Sequence, residues 1–444
     1  MYFPSNIIKY FIIPLADKTM HTSIKKYYNQ ILAMRKWSSS EISEWQNRRL
    51  RELIDYAYKN TEYYKKLMDR IGMIPSDINS TEDLKYIPKL TKIILRENFS
   101  EFISKEISNI HHIKSYTGGS TGNPSPYYQS RNSWSFINAN TWYNWEKMGY
   151  KYSEPFLALG SSSLYVNHKS SLKHLLYYKL KGKIAVNGIN MSDSTCESYI
   201  QLIKKKKIRF LYGYASSLYL LAKYAIKNGL NVEIKCCFPT SEVLTKQYRD
   251  TIQNAFKCNI MDCYGANDGG VNAFSSILGF YEVGYNSIVK LSDNCNNTIG
   301  DALLTDLFNI ATPLINYQVG DQIVIDQRTN ASYVYNGQII NGILGRTSDI
   351  IILGNGRKLT GPGFTILFKD IPVEYYCIEK VSDYELICWL IKLDSFNDQH
   401  DKLILNTIGK QAGSDIKISI KEISMPFLSK SGKRIYFIDR NFND

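Results

Sequence analysis

The feature that most restricts the fold of this chain is an alternation of short apolar runs with helical patterns between residues 155 and 265. Residues 156–159 form an apolar run of strand length. Arg209-Phe210-Leu211-Tyr212 is a second, leading into a helical stretch through Lys227 that Ser216 can cap. Cys236-Cys237-Phe238 is a third, with Thr240 or Ser241 placed to cap a helix through Phe256, and Asn259-Ile260-Met261-Asp262 returns to strand. Strands that recur with a helix between them need crossover connections, so they pair in parallel. A serine-rich stretch at residues 161–163 reads as loop. Ahead of this region, residues 40–72 read as one helix with Ser40 as its cap and Leu50, Leu53, Ile54 and Ala57 as its apolar stripe.

After residue 280 the pattern changes to short strands and turns, with residues 323–325 and 332–335 as hairpin material. Beyond Gly345 it changes again. The segments 350–353 and 357–360 read as strands on either side of Asn355-Gly356, a pair that suits a primed hairpin turn. Strands at 384–393 and 416–423 enclose a helix at 400–411. The expected class is α/β. A large N-terminal domain, residues 1–345, holds mainly parallel sheets flanked by helices plus a β-rich subdomain. Residues 346–444 form a small, mobile α+β domain.

The chain carries 54 basic and 41 acidic side chains, a formal net charge of +13, which favours anionic partners. The basic residues are scattered. Their one dense run, Lys204-Lys205-Lys206-Lys207, reads as a solvated helix end, and no nucleic-acid-binding module is present, so nucleic acid is not an expected partner. The eight cysteines contain no C-x-x-C pair and no ligand-like spacing. Without an export signal at the start, they read as reduced thiols of a cytoplasmic protein. The run Asn6-Ile7-Ile8-Lys9-Tyr10-Phe11-Ile12-Ile13-Pro14-Leu15 is too short and interrupted to span a bilayer. It can pack onto the main domain, the simpler reading, or lie on the inner face of a membrane as an amphipathic segment.

The chemistry is concentrated in Tyr116-Thr117-Gly118-Gly119-Ser120-Thr121-Gly122-Asn123-Pro124. Glycines let successive backbone N–H groups turn toward one anion, and Thr117, Ser120 and Thr121 add hydroxyl donors. No lysine follows the last glycine, so this is not the Walker-type phosphate loop. Further along lie Thr240-Ser241-Glu242, Tyr264-Gly265-Ala266-Asn267-Asp268-Gly269, Tyr317-Gln318-Val319-Gly320-Asp321, Gly345-Arg346-Thr347-Ser348-Asp349 and Ser431-Gly432-Lys433.

In this order, these motifs resemble those of the adenylate-forming acid ligases, the superfamily of acyl-CoA synthetases. The early segments Trp37-Ser38, Gln46, Leu50, Leu53, Ala57-Tyr58, Tyr63-Tyr64 and Ile87-Pro88-Lys89-Leu90-Thr91-Lys92 are similar to its phenylacetate–CoA ligase and CapK-type branch. The resemblance implies that Thr117, Gly118, Gly119, Ser120, Thr121 and Gly122 hold the β- and γ-phosphates of ATP. It implies adenine contacts for Ser241, Glu242, Tyr264 and Gly265. Asn267 stands where a hydroxyl residue usually reaches phosphate, and Asp268 stands for the usual glutamate that binds Mg²⁺. Asp keeps the hard oxygen ligand but is one methylene shorter. Asp321 is the ribose ligand, Arg346 approaches ribose and phosphate, Asp349 marks the hinge, and Lys433 is the cation that enters during adenylation. Tyr214 and Ser216, in a segment similar to one of the CapK-type branch, are candidates for the acyl pocket.

The implied function is ATP- and Mg²⁺-dependent activation of a carboxylic acid to acyl-AMP. Transfer follows to CoA, or to an amine or hydroxyl of a sugar-linked acceptor in surface polysaccharide synthesis. Two other classes compete. One is a nucleotide-binding protein of the same fold without turnover, motivated by Asn267 and Asp268. The other is a polysaccharide glycosyltransferase, which needs a D-x-D metal motif in a plausible nucleotide loop.

Overall fold

The computed structural model describes residues 7–116, 125–160, 181–189, 191–292, 298–325, 335–346, 350–360, 364, 367, 368, 371–428 and 434–439. Internal contacts divide the chain into two compact units. One comprises Met1–Glu154, Tyr177–Gly182 and Met261–Ile343, the other Pro155–Leu176, Lys183–Ile260 and Leu344–Asp444. The chain adopts the α/β class expected of it.

In the first unit the stripe Leu50, Leu53, Ile54 and Ala57 is buried as expected, but the single helix read over 40–72 is two, Ser39–Asn60 and Glu62–Ile71. The cap is Ser38 rather than Ser40. Its hydroxyl accepts the Glu41 N–H, and the Glu41 carboxylate accepts the Ser38 N–H at 2.7 Å, a reciprocal capping box. The break falls at Thr61, which is extended. Its hydroxyl donates to Ala57 O at 2.7 Å and accepts from Tyr64 N–H, closing one helix and opening the next.

These helices support antiparallel sheets. The strands His112–Tyr116 and Pro126–Ser130 pair from His112↔Ser130 to Tyr116↔Pro126. Ser130 then caps the helix Arg131–Lys147. Cys263–Ala266, Val271–Ser275, Tyr281–Val283 and Ile339–Ile340 follow one another antiparallel. Ser287–Leu291, Ile299–Asp306 and Tyr317–Val324 form a second antiparallel set, bulged between Asp301 and Leu303. The Ile87-Pro88-Lys89-Leu90 segment docks beside the last strand. Leu90 N–H donates to Asn316 O at 3.0 Å and Gln318 N–H to Leu90 O at 2.9 Å. Tyr64 accepts the Ile315 N–H at 2.9 Å, and Gln46 donates to Tyr285 O at 3.0 Å. The early segments therefore brace the strands that carry the later motifs.

In the second unit Lys183–Asn187, Phe156–Gly160, Phe210–Tyr214 and Cys236–Thr240 are neighbours in that order, all parallel, and Asn259–Ile260 joins Cys236–Thr240. Their connecting helices are Asp193–Lys206, Ala215–Lys227 and Lys246–Phe256. The lysine run is exposed at the first helix's end, as read. Two expected caps differ. Thr245, not Thr240 or Ser241, caps Lys246–Phe256. Ser216 lies inside its helix, whose N-cap position is Tyr214.

The C-terminal part of this unit holds the hairpin Ile350–Ile352 with Lys358–Thr360. Its register leaves residues 354–356 as a three-residue loop rather than a two-residue primed turn, with Leu353 N–H still bonded to Arg357 O at 2.9 Å. Gly356 takes φ +79°, the left-handed position such loops require. Val373–Ser382 and Glu385–Lys392 pair antiparallel, flanked by the parallel strands Phe437–Asp439 and Lys417–Glu422. The helix Asp398–Ala412 buries Ile404, Ile408 and Ala412. No described cysteine is in a disulfide. Among the described residues no helix is long and apolar enough to cross a membrane.

Candidate functional site

The first unit brings two of the motifs together. The strand Cys263–Ala266 ends in a tight turn, Asn267–Gly269, that carries Asp268. The strand Tyr317–Val324 carries Asp321. The Tyr264 hydroxyl donates to Asp321 Oδ2 at 2.9 Å, and the Tyr317 hydroxyl donates to Asp268 Oδ2 at 3.3 Å. Each motif's tyrosine thus holds the other motif's carboxylate. Hydrogen bonds to a carboxylate are the stronger kind, so each tyrosine helps to fix the orientation of the carboxylate it meets. Tyr264 and Asp321 are buried, Asp268 is half-buried, and Gly265 and Asn267 are exposed.

What holds the turn is packing behind it. Gly270 adopts φ +68°, and a Cβ there would stand 2.2 Å from the Asp306 carboxyl. Asn286 Nδ2 donates to Gly270 O at 2.7 Å. Asp306 accepts the Ser133 hydroxyl and the Phe308 N–H. Burial raises its pKa from 3.8 to about 6, even though these donors favour the carboxylate. Tyr127, shortly after the glycine-rich segment, has a raised pKa because of burial and then the negative field of Asp268. Thr117, Gly118, Gly119, Ser120, Thr121 and Gly122 themselves lie outside the described residues.

The second unit gathers the other described candidates at the carboxyl ends of its parallel strands, where ligands bind in open α/β sheets. Glu242 Oε2 accepts the Ser216 N–H at 2.8 Å, so a carboxylate, and not the serine hydroxyl, satisfies the first turn of Ala215–Lys227. Its other oxygen, Oε1, is buried with no hydrogen-bond partner among the described residues. Tyr214 and Ser216 are buried, while Ser241 is exposed in the left-handed region at φ +67°. Arg346 ends the strand Gly342–Arg346, but its side chain, Asp349 and Lys433 lie outside the described residues.

Arg434, which follows Lys433, is buried in this unit. Its guanidinium donates to the Tyr248 hydroxyl and to Glu374 O, and sits 3.5 Å from the Glu374 carboxylate. Lys223 Nζ reaches the same carboxylate at 2.5 Å, and Tyr219 stacks on Tyr248 with ring centres 4.6 Å apart.

The donor set suits Mg²⁺ carried in with a nucleotide. No group of three His, Cys, Asp or Glu residues among those described could cage a metal. Asp268 is a single, half-buried carboxylate, and Mg²⁺ typically takes one or two carboxylates together with substrate phosphates and water. Two contributors escaped the sequence reading. Tyr317 headed its motif without an assigned role, and the signal was its identity beside Asp321. Asp306 carried no signal, as one acid at the end of an apolar strand.

No family model matches the chain. Protein CapK of Staphylococcus aureus is 24% identical over 329 residues, covering 74% of this chain and 72% of CapK. The phenylacetate-coenzyme A ligase of Escherichia coli (strain K12) is 32% identical over 92 residues, 20% of each chain. Among solved structures, a 2-hydroxyisobutyryl-CoA ligase in the postadenylation state, in complex with R3-HIB-AMP, shares the fold. Its TM-score is 0.69 at 17% identity, over 92% of this chain and 91% of that one.

Proposed function

We propose, from the adenylate-forming ligase superfamily that these relatives and this fold indicate, in its CapK and phenylacetate–CoA ligase branch, that the chain activates a carboxylic acid with ATP. The observation that carries this reading is the crossed pairing of Tyr264 with Asp321 and of Tyr317 with Asp268. It joins a ribose-type carboxylate and a metal-type carboxylate in one place from motifs far apart in sequence.

In this reading a carboxylate oxygen of the acid attacks the α-phosphorus of ATP. A new P–O bond forms, the bond to the β-phosphate breaks, and pyrophosphate leaves with its electron pair. The chain's part is to position and to neutralise. Asp321 accepts from the ribose hydroxyls while Tyr264 holds it in place. Residues 117–122 cradle the β- and γ-phosphates. Asp268 is the protein ligand for Mg²⁺, which when bound offsets phosphate charge. Ser241, Glu242 and Gly265 flank the adenine, Asn267 and Arg346 face phosphate, and Tyr214 and Ser216 line the acyl pocket. Lys433 supplies the ammonium that offsets charge as the acyl–phosphate bond forms.

Residues 346–444 serve as the lid, turning at Asp349 between activation and transfer. CoA is the default acceptor. A sugar-linked amine or hydroxyl, in surface polysaccharide assembly, is the alternative that the resemblance to the CapK-type branch implies.

ATP–pyrophosphate exchange across aryl, fatty, hydroxy and amino acids tests the proposal. At least one acid class should support exchange that requires Mg²⁺. ATP binding with no exchange for any acid would instead mark a nucleotide-binding protein without turnover, the alternative that the departures at Asn267 and Asp268 motivate.

A further inference from the structure

The N-terminal helical segment presents apolar residues in two directions. The turn Ile8–Ile12 and the helix Ile13–Met20 bury Ile8 and Ile13 in the first unit's core, with Ile12 packed beside them. The opposite side carries Ile7, Tyr10, Phe11 and Leu15, which are 42, 60, 72 and 64% exposed. Ile7, Phe11 and Leu15 recur every fourth residue and so share one face. Apolar side chains thus lie on two sides of the segment, and among the described residues nothing covers this one.

Charge identifies what does. Residues 1–40 contain Lys9, Lys18, Lys25, Lys26, Arg35 and Lys36 against Asp17 alone. Asp17 is turned inward, accepting the Thr22 hydroxyl at 2.6 Å and the N–H groups of Ile24 and Lys25 at 3.0 and 2.9 Å. Glu146, the acid of the adjoining helix Arg131–Lys147, is also engaged. It accepts from Tyr28 and from Trp142 Nε1 at 2.8 Å, and Lys9 stands 3.9 Å away. Lys18 and Lys26 are exposed, and Lys25 Nζ lies 5.0 Å from the Tyr10 ring, so ammonium groups border the apolar stripe. Apolar and aromatic side chains rimmed by lysines are the composition of a surface that seats in the headgroup layer. A second copy of the chain would set lysine rim against lysine rim.

We infer that Ile7, Tyr10, Phe11 and Leu15, with Lys18, Lys25 and Lys26, form a docking face for an anionic lipid bilayer. This goes beyond the ligase reading and stands whether or not that reading holds.

The test uses the full chain, sedimented with phosphatidylcholine vesicles that contain or lack phosphatidylglycerol. Partitioning should favour the anionic vesicles by about tenfold or more and fall with added salt. The exposed double variant Phe11→Ser/Leu15→Ser should lose about tenfold while keeping the wild-type melting temperature. Lys18→Glu/Lys26→Glu should lose the preference for anionic vesicles. Equal partitioning into both vesicle types, or binding unchanged in the Phe11/Leu15 variant, would overturn the inference. So would self-association in sedimentation velocity that this variant abolishes, since that would make a second copy the occupant.

Discussion

The hydroxyl of Tyr264 meets Asp321 across 2.9 Å, and this bond has a mirror in Tyr317, whose hydroxyl meets Asp268. Tyr264 stands four residues before Asp268, and Tyr317 four before Asp321. Two local motifs of the same form are therefore locked to each other rather than each to itself. Displacing one carboxylate disturbs the other, which makes the pair a unit for mutational analysis.

If Asp321 takes the ribose hydroxyls, Asp321→Asn should lower kcat/KM for ATP in pyrophosphate exchange by about a hundredfold or more, since bonds to a charged acceptor are lost. Tyr264→Phe removes only the support and should cost about fivefold. Equal losses in the two variants would assign Asp321 a structural role.

Lys433→Ala should slow acyl-AMP formation by about a hundredfold or more, with transfer from preformed acyl-AMP little changed. The two half-reactions are measured separately, by pyrophosphate exchange and by single-turnover transfer. A matched loss in both would refute the assignment of Lys433 to the first.

Asp306 makes stability depend on pH in a defined direction. Burial raises its pKa from 3.8 to about 6, so the folded chain keeps a proton that the unfolded chain has released. This group's stabilisation is complete below pH 3.8 and is lost as pH rises through 6. Two pKa units correspond to about 3 kcal/mol. Asp306→Asn cannot titrate, so its stability relative to the wild type should rise by up to that amount between about pH 4 and pH 7. Urea unfolding over this range reads the difference, and a gap that stays constant with pH would contradict the shift.

Gly270 and Gly279 separate backbone strain from close packing. Both have positive φ, +68° and +86°, but a Cβ at Gly270 meets Asp306 while one at Gly279 meets nothing within 4 Å. Gly279→Ala should cost about 1 kcal/mol and Gly270→Ala about 2–4 kcal/mol in urea unfolding. Similar costs would mean that contact with Asp306 does not hold the turn.

Much of the fold was legible because it is written in short-range pattern. The apolar runs near residues 157, 211 and 237 are strands, all parallel, and the elements expected at 384–393, 400–411 and 416–423 appear within a few residues of those bounds. The readings that failed concern single hydrogen bonds. Ser40, Thr240, Ser241 and Ser216 are all competent caps by type. Ser38 won through a reciprocal bond with Glu41, and Glu242 took the Ser216 N–H from 26 residues away. Thr61 split a helix whose periodicity ran straight through it.

The candidate site divides in the same way. Tyr264, Asp268 and Asp321 could be named from their motifs, because residue type and spacing state what a ligand needs. Their mutual support could not, nor could the place of Asp306 behind Gly270, nor the burial of Arg434 between Tyr248 and Glu374. The amino-acid order by itself determined the strand and helix periods, the surplus of positive charge and the chemical groups on offer. Which tyrosine serves which carboxylate, and which acid has its pKa raised by burial, was decided only when distant segments packed together. Those outcomes depend on desolvation and on distances of a few ångströms between atoms far apart along the chain, quantities that no local pattern encodes.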